Sequence, residues 1–382
     1  MRTAIASLAA TAFLGCAAAR QNGPAPHSTN ALEMPGALRI DTVATGLNTP
    51  WAIAFLPDGR MLVTERPGTL RVVDTSGTVS ANLYNVPDVY AHQQGGLLDV
   101  AVDPGFASNH TIYLSFAEPG PSSTAGTAVV SAQLSADRLL YVKTIYQQTP
   151  KVRGGNHFGS RIVFAKDGKL FVTQGERFDY RDQAQNLDSD LGKVVRINAD
   201  GSVPADNPFV GKGGVRPEIW SYGHRNVEAA ALDPETGQLW TVEHGARGGD
   251  ELNHPEAGKN YGWPIITYGR DYNGRKIGEG VEKAGMEQPV YYWDPVIAPS
   301  GMAFYTGDKF PPDWKNNILV GGLASQRLVR LVMQNGKVAR EIRYLGELKA
   351  RIRDVQIGPD GLIYVATDEN PGRILRLSPR TP

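Results

Sequence analysis

Hydrophobic and polar residues alternate with a period of two along much of the chain, in pairs of short runs joined by a turn. Residues 51–55 (WAIAF) turn at Pro57-Asp58-Gly59 into 61–65 (MLVTE), and 98–102 (LDVAV) lead through Asp103-Pro104-Gly105 to 112–115 (IYLS). The unit recurs at 161–164, Asp167-Gly168 and 170–173, and again at 229–232, Thr236-Gly237 and 239–243. It returns at 302–305, Gly307-Asp308 and 318–320, and last at 354–357, Asp360-Gly361 and 362–367. Alternation with Gly, Pro and Asp at the joint predicts six β-hairpins. Successive turn glycines lie 46 to 70 residues apart, close to the ~40–50 of a propeller blade once loops are added. No stretch sustains a helical period, which disfavours a parallel α/β sheet. The predicted fold is all-β, a six-bladed β-propeller over residues 39–380, with inter-blade loops gathered around a central channel. Two β-sandwiches fit less well, because one hairpin signature runs through the whole chain.

The first residues break the pattern. Residues 1–19 read as an export signal: Arg2 gives the positive end, and 4–14 form an apolar run too short to span a bilayer. Residues 20–38 read as a flexible, Pro-containing tether. Cys16 follows Phe13-Leu14-Gly15, where a bacterial lipoprotein would carry its lipid, although Phe13 fits that pattern poorly. Two readings stay open: lipid attachment at Cys16, or an incidental residue in a removed signal. The expected location is the periplasm, free or lipid-anchored to the outer membrane.

Composition narrows the chemistry. The chain has 382 residues, with 43 glycines and 26 prolines, above their usual combined share of about 12% and in keeping with many turns. Thirty-nine basic residues balance 39 acidic ones, which counts against a nucleic-acid binder. One cysteine excludes an intrachain disulfide and any Cys-clustered metal site. A strand-following G-x-G-x-x-G, a G-x-S-x-G elbow and H-E-x-x-H are all absent from the sequence, so nicotinamide, serine-hydrolase and zincin chemistry lose support.

The unusual residues lie at or beyond the hairpin ends. Gln94 precedes paired glycines that let backbone approach a ligand; read alone, it is a polar turn residue. His157, in Gly154-Gly155-Asn156-His157-Phe158-Gly159, has the right chemistry to accept a proton near neutral pH, although a lone His is more often a packed residue. Glu176 leaves the same hairpin and is placed to tune that imidazole. Arg225 and Asn226 in Tyr222-Gly223-His224-Arg225-Asn226 suit a planar, oxygen-rich anion, with an ordinary salt bridge equally in play. The acidic, glycine-rich 243–253 loop, followed by Asn260-Tyr261-Gly262-Trp263-Pro264, offers hard oxygen ligands suited to calcium. Arg351 and Arg353 alternate onto one face as a strand begins.

Together, and in this order, these segments resemble the soluble quinoprotein glucose/sorbosone dehydrogenases, in their aldose sugar dehydrogenase branch. The most specific stretches are 94–100 (QGGLLDV), 222–226 (YGHRN) and 249–253 (GDELN) through 260–264 (NYGWP). The resemblance implies a six-bladed propeller holding pyrroloquinoline quinone (PQQ) and Ca2+ at its mouth, an aldose as substrate, and a quinone or small redox protein as electron acceptor. It makes His157 the general base, Glu176 its carboxylate partner, and Arg225 a catalytic polarising group. Gln94, Arg225, Asn226, Arg351 and Arg353 become cofactor contacts. The carbonyls of Gly245 and Ala246 become calcium ligands, and Glu251 and Tyr261 a further calcium position. Ala324 stands where glucose dehydrogenases of the family place a cofactor-facing Lys. A calcium-dependent lactonase-type hydrolase and a non-catalytic glycan- or protein-binding propeller are the alternatives.

Overall fold

Six sheets stand around one axis in the computed structural model, which describes residues 27–28 and 31–380. The innermost strands are Pro50–Phe55, Leu97–Val102, Gly159–Phe164, Val227–Leu232, Pro299–Phe304 and Ile352–Ile357. Each packs against the next, and the sixth against the first. We number the blades 1 to 6 by these strands. Each expected hairpin forms the two innermost strands of its blade, with antiparallel pairing throughout.

Blade 6 closes the ring. Its outer strand Gly372–Pro379 pairs antiparallel with Leu38–Leu47, joining the two ends of the propeller in one sheet. Leu38, Leu47, Leu375 and Leu377 bury their side chains there. Blade 1 has three strands, whereas blade 2 carries two extra segments, Leu139–Gln147 and Val152–Arg153, on its third strand. Part of the expected tether is docked: His27 pairs with Tyr292, and Leu32–Glu33 add a parallel strand to blade 5. The expected export signal and Cys16 lie outside the described residues. No helix among the described residues is long and apolar enough to cross a membrane.

All six innermost strands share one irregularity. Each shifts register against its neighbour near its start, a β-bulge repeated around the ring. A bulge re-aims the side chain it frees. The shifted residues include Trp51, Asp99, Arg161, Glu228, Gly301 and Arg353. Arg161 donates to Asp99 of blade 2 at 3.0 Å and forms an ion pair with Asp354 of blade 6 at 3.1 Å. It donates to the Glu228 carbonyl of blade 4 at 2.8 Å and lies 4.2 Å over the Trp51 ring of blade 1. Gly301 is the small member of the set: a Cβ there would come within 2.5 Å of the Asp354 backbone. Removing one member of a buried ion cluster strands the others in low dielectric. Arg161→Met is therefore expected to lower unfolding free energy by about 3–5 kcal/mol, read as a reduced midpoint in urea denaturation.

Candidate active site

The mouth where the innermost strands begin gathers most of the expected site residues into one hydrogen-bonded set. His157 is buried, in the loop before blade 3, and its Nδ1 lies 2.7 Å from Glu176 Oε2. An ionised carboxylate only accepts, so Nδ1 carries the proton and Nε2 keeps its lone pair. The Gln94 side-chain oxygen accepts the His157 amide at 2.7 Å. Glu176 donates its amide to the Arg225 carbonyl at 2.9 Å, and the Arg225 amide donates to Glu243 Oε2 at 2.7 Å. Asn226 accepts the Gly159 amide at 2.9 Å, tying blade 4 to blade 3.

Burial lowers the pKa of His157, since an imidazolium there would be poorly solvated; Glu176 pulls the other way and Arg225 adds to the lowering. Burial raises Glu176, but His157 and Arg225 outweigh it and hold the carboxyl below its ordinary value. At neutral pH the pair is a neutral imidazole beside a carboxylate.

Arg225 differs from the other arginines of the site. Its Nη1 donates to the carbonyls of His244 and Gly245, its Nη2 to the Tyr272 hydroxyl at 3.3 Å, and the guanidinium lies 5.2 Å from the Trp263 ring centre. Arg353 instead binds Glu228 at 2.9 Å and Asp368 at 3.1 Å, and Arg351 reaches the same Asp368 oxygen at 2.8 Å. The two arginines thus share one side, as their spacing suggests.

A cavity of about 300 Å³ opens beside these groups, lined by Glu176, Phe178, Arg225, Ala246, Trp263 and Tyr272, among others. Arg225 Nε and Trp263 Nε1 are buried without a hydrogen-bond partner. Unspent donors at a cavity of this size fit a small, planar, anionic ligand. Gly245 is packed so closely that a Cβ would come within 2.3 Å of the Gly248 carbonyl oxygen. Its amide is held by Asp250 at 2.7 Å. Carbonyls of this tight loop are the hard-oxygen donors calcium prefers.

Of the expected residues, Glu176, Arg225 and Ala246 line that cavity, whereas His157, Gln94, Asn226, Gly245, Arg351 and Arg353 lie outside its lining. Glu251 and Tyr261 group around Glu243 instead: Asn253 donates to both Glu243 and Glu251. Tyr261 stacks on His224, which bonds Glu243 at 2.9 Å. Burial and the nearby Glu243 raise the Glu251 carboxyl well above its usual range, so a cation there would relieve two close carboxylates. Ala324 is exposed, and its amide donates to the Ile297 carbonyl at 3.0 Å.

Three supporting residues escaped the sequence reading. Glu228 accepts from Asn226 at 3.0 Å and from Arg353 at 2.9 Å, joining two expected cofactor contacts from blades 4 and 6. Burial would raise its carboxyl, yet His244, Arg353 and Asn226 hold it well below the usual carboxylate range. Its signal in the sequence is a two-residue spacing from Asn226, the same spacing that separates Arg351 and Arg353. Arg177 is fully buried and donates to the carbonyls of Asn156, Gly154 and Ala125, clamping the loop that carries His157. Phe178 donates its amide to Glu176. Neither of the last two had a distinguishing sequence pattern.

Geometry therefore defines a propeller enzyme site, with a carboxylate-backed base beside a ligand-sized hollow lined by both guanidiniums (Arg181, Arg225) and carboxylates (Glu176, Asp179, Asp271). Comparison with known proteins makes the class specific. The chain belongs to the Glucose / Sorbosone dehydrogenase family, which it matches over residues 47–376. It is 47% identical to aldose sugar dehydrogenase YliI of Escherichia coli (strain K12), covering 91% of this chain and 94% of that protein. The apo-form structure of the soluble Escherichia coli aldose sugar dehydrogenase superposes with a TM-score of 0.87 at 46% identity, covering 90% of this chain and 100% of that one. The PQQ-bound aldose sugar dehydrogenase of Streptomyces coelicolor gives a TM-score of 0.74 at 30% identity, over 90% of this chain and 99% of that one. The chain is an oxidoreductase of this quinoprotein family.

The His157 environment generates a titration test. Its folded pKa lies below the unfolded value near 6.5, so the unfolded chain binds the extra proton first. This contribution to stability is intact above about pH 6.5 and is lost as pH falls through the folded pKa. In the imidazole NMR spectrum His157 is expected to protonate at lower pH than a free histidine. Glu176→Gln should lower its midpoint further, because the carboxylate that favours the imidazolium is removed.

Proposed function

We propose that this chain oxidises aldose sugars at the anomeric carbon to the lactone, using PQQ and Ca2+ and passing the electrons to an external acceptor. The observation that carries the reading is the His157–Glu176 pair at 2.7 Å, set beside a cavity bearing the unspent donors of Arg225 and Trp263. The oxidation removes one proton from the C1 hydroxyl and one hydride from C1. When bound, PQQ supplies the two-electron acceptor for that hydride, with calcium as a Lewis acid beside it.

The protein's part is to bind, orient and accept the proton. Neutral His157 takes the hydroxyl proton at Nε2, while Glu176 fixes the tautomer and stabilises the imidazolium that results. Arg225, Arg353, Arg351, Gln94 and Asn226 would hold the anionic cofactor, with Arg225 as the polarising charge at the cavity. The Gly245 and Ala246 carbonyls would hold the calcium that meets the cofactor, and Glu251 and Tyr261 a further one. Ala324 adds no charge, so cofactor affinity rests on the arginines. A lactonase reading needs a central metal on free carboxylates. The channel carboxylates Asp99, Asp354 and Glu228 are instead paired with Arg161 and Arg353. Export to the periplasm, free or lipid-anchored at Cys16, and an acceptor that is a quinone or small redox protein complete the proposal.

Reconstitution with PQQ and calcium should give aldose-dependent reduction of an artificial acceptor dye. His157→Ala should bind PQQ as wild type does while kcat falls about 10²–10⁴-fold. A holoenzyme that oxidises no aldose would refute the function, and intact turnover in the variant would remove His157 as the base.

A further inference from the structure

Phe178 is held in a conformation that its residue type disfavours. Its φ is 65°, a left-handed backbone that is an outlier for a bulky side chain. Its ring is 40% exposed, beside a histidine that is buried. The Glu176 carboxylate fixes its amide, so the same group that orients the base also sets this ring. The ring meets His157 edge-on with centroids 5.2 Å apart, and stacks at 6.2 Å and 27° on Tyr272, itself 60% exposed.

Phe178 also borders two hollows. One is the cavity at Arg225. The other, of about 390 Å³, is lined by Tyr90, His92, Gln93, Arg153, Asn156 and Asp179, among others. That second lining is rich in hydrogen-bonding side chains, the partners that sugar hydroxyls need. An exposed aromatic face at the junction offers the complementary apolar surface. The Phe178–Tyr272 gap is too narrow to sandwich the planar cofactor, since an intervening ring needs about 7 Å at ordinary carbon contact.

Resting on the function proposed above, we infer that Phe178 is a specificity-determining residue: its ring is the stacking surface for the C–H face of the aldose pyranose, with Tyr272 backing it. The pocket then sorts substrates by ring. A pyranose has a flat apolar face to lay on Phe178, and an open-chain polyol has none.

The test uses holoenzyme loaded with PQQ and calcium. Phe178→Leu keeps the apolar bulk and removes the flat face; Phe178→Trp restores a flat face. In Phe178→Leu the KM for D-glucose should rise about tenfold with kcat within about threefold, and Phe178→Trp should recover most of the loss. The activity-independent arm is calorimetric titration with 1,5-anhydroglucitol, which has no C1 hydroxyl to oxidise. Its affinity should fall in Phe178→Leu by the same factor, while PQQ affinity stays within about twofold. Unchanged anhydroglucitol affinity would overturn the inference. So would a loosened PQQ site, which would assign the ring to the cofactor. A wild-type holoenzyme that binds anhydroglucitol but oxidises no aldose would defeat the function and leave the stacking surface standing.

Discussion

One guanidinium holds the propeller's axis. Arg161 reaches a carboxylate on blade 2, a carboxylate on blade 6, a carbonyl on blade 4 and an indole on blade 1. Its partners are themselves bonded to backbone: Asp99 accepts the Ile162 amide and Asp354 the Ile53 amide, each at 2.8 Å. A ring of sheets has no single hydrophobic centre, because each interface lies between neighbouring blades. Registry across the channel therefore falls to polar contacts, and these are buried. Burial pushes Asp99 up to about 6 despite Arg161, and a hollow of about 430 Å³ opens in the channel beside the pair. The repeated bulge makes the arrangement feasible, since it turns one residue per strand toward the channel.

The same device builds the site. Glu228 and Arg353 occupy the same bulge position in their strands as Arg161, and Glu228 accepts from both Arg353 and Asn226. Positive charge at the mouth is thus of two kinds. Arg351 and Arg353 are largely compensated by Asp368 and Glu228, so they contribute shape and donors more than net field. Arg225 is bonded to carbonyls and a hydroxyl, which leaves its charge for a ligand. A neutral chain can therefore offer an anion a guanidinium that makes no hydrogen bond to a carboxylate.

How much of this was written in the sequence depends on the range of the interaction. The hairpins were legible because period-two alternation and turn residues are local, and 51–55 with 61–65 form the expected pair. His157, Glu176, Arg225 and Asn226 were legible because glycine-rich loops flank them. Their gathering at one mouth is implied by the family resemblance; the bonds that join them are not, because these depend on how blades 2, 3 and 4 meet there. Docking of Leu32–Glu33 on blade 5 was likewise hidden, because the segment pairs with residues some three hundred positions away. Nothing local marks Arg177, and only the fold supplies the three carbonyls that receive its guanidinium. Composition gave no warning of a buried arginine, which normally takes a carboxylate partner.

Backbone strain gathers beside the base, as it also does in several loops elsewhere in the ring. His157, Arg177 and Phe178 all have positive φ, at 52°, 66° and 65°, each costing of order 1–3 kcal/mol. Each is over-determined by bonds from elsewhere: the His157 amide by Gln94, the Arg177 guanidinium by three carbonyls, and the Phe178 amide by Glu176. Relaxing any one would move the imidazole relative to the cavity, and proton transfer depends on sub-ångström placement. The rigid blades supply the energy that keeps these loops strained. That explains why the base sits on irregular backbone, at the point where two blades and a buried arginine leave it no other position.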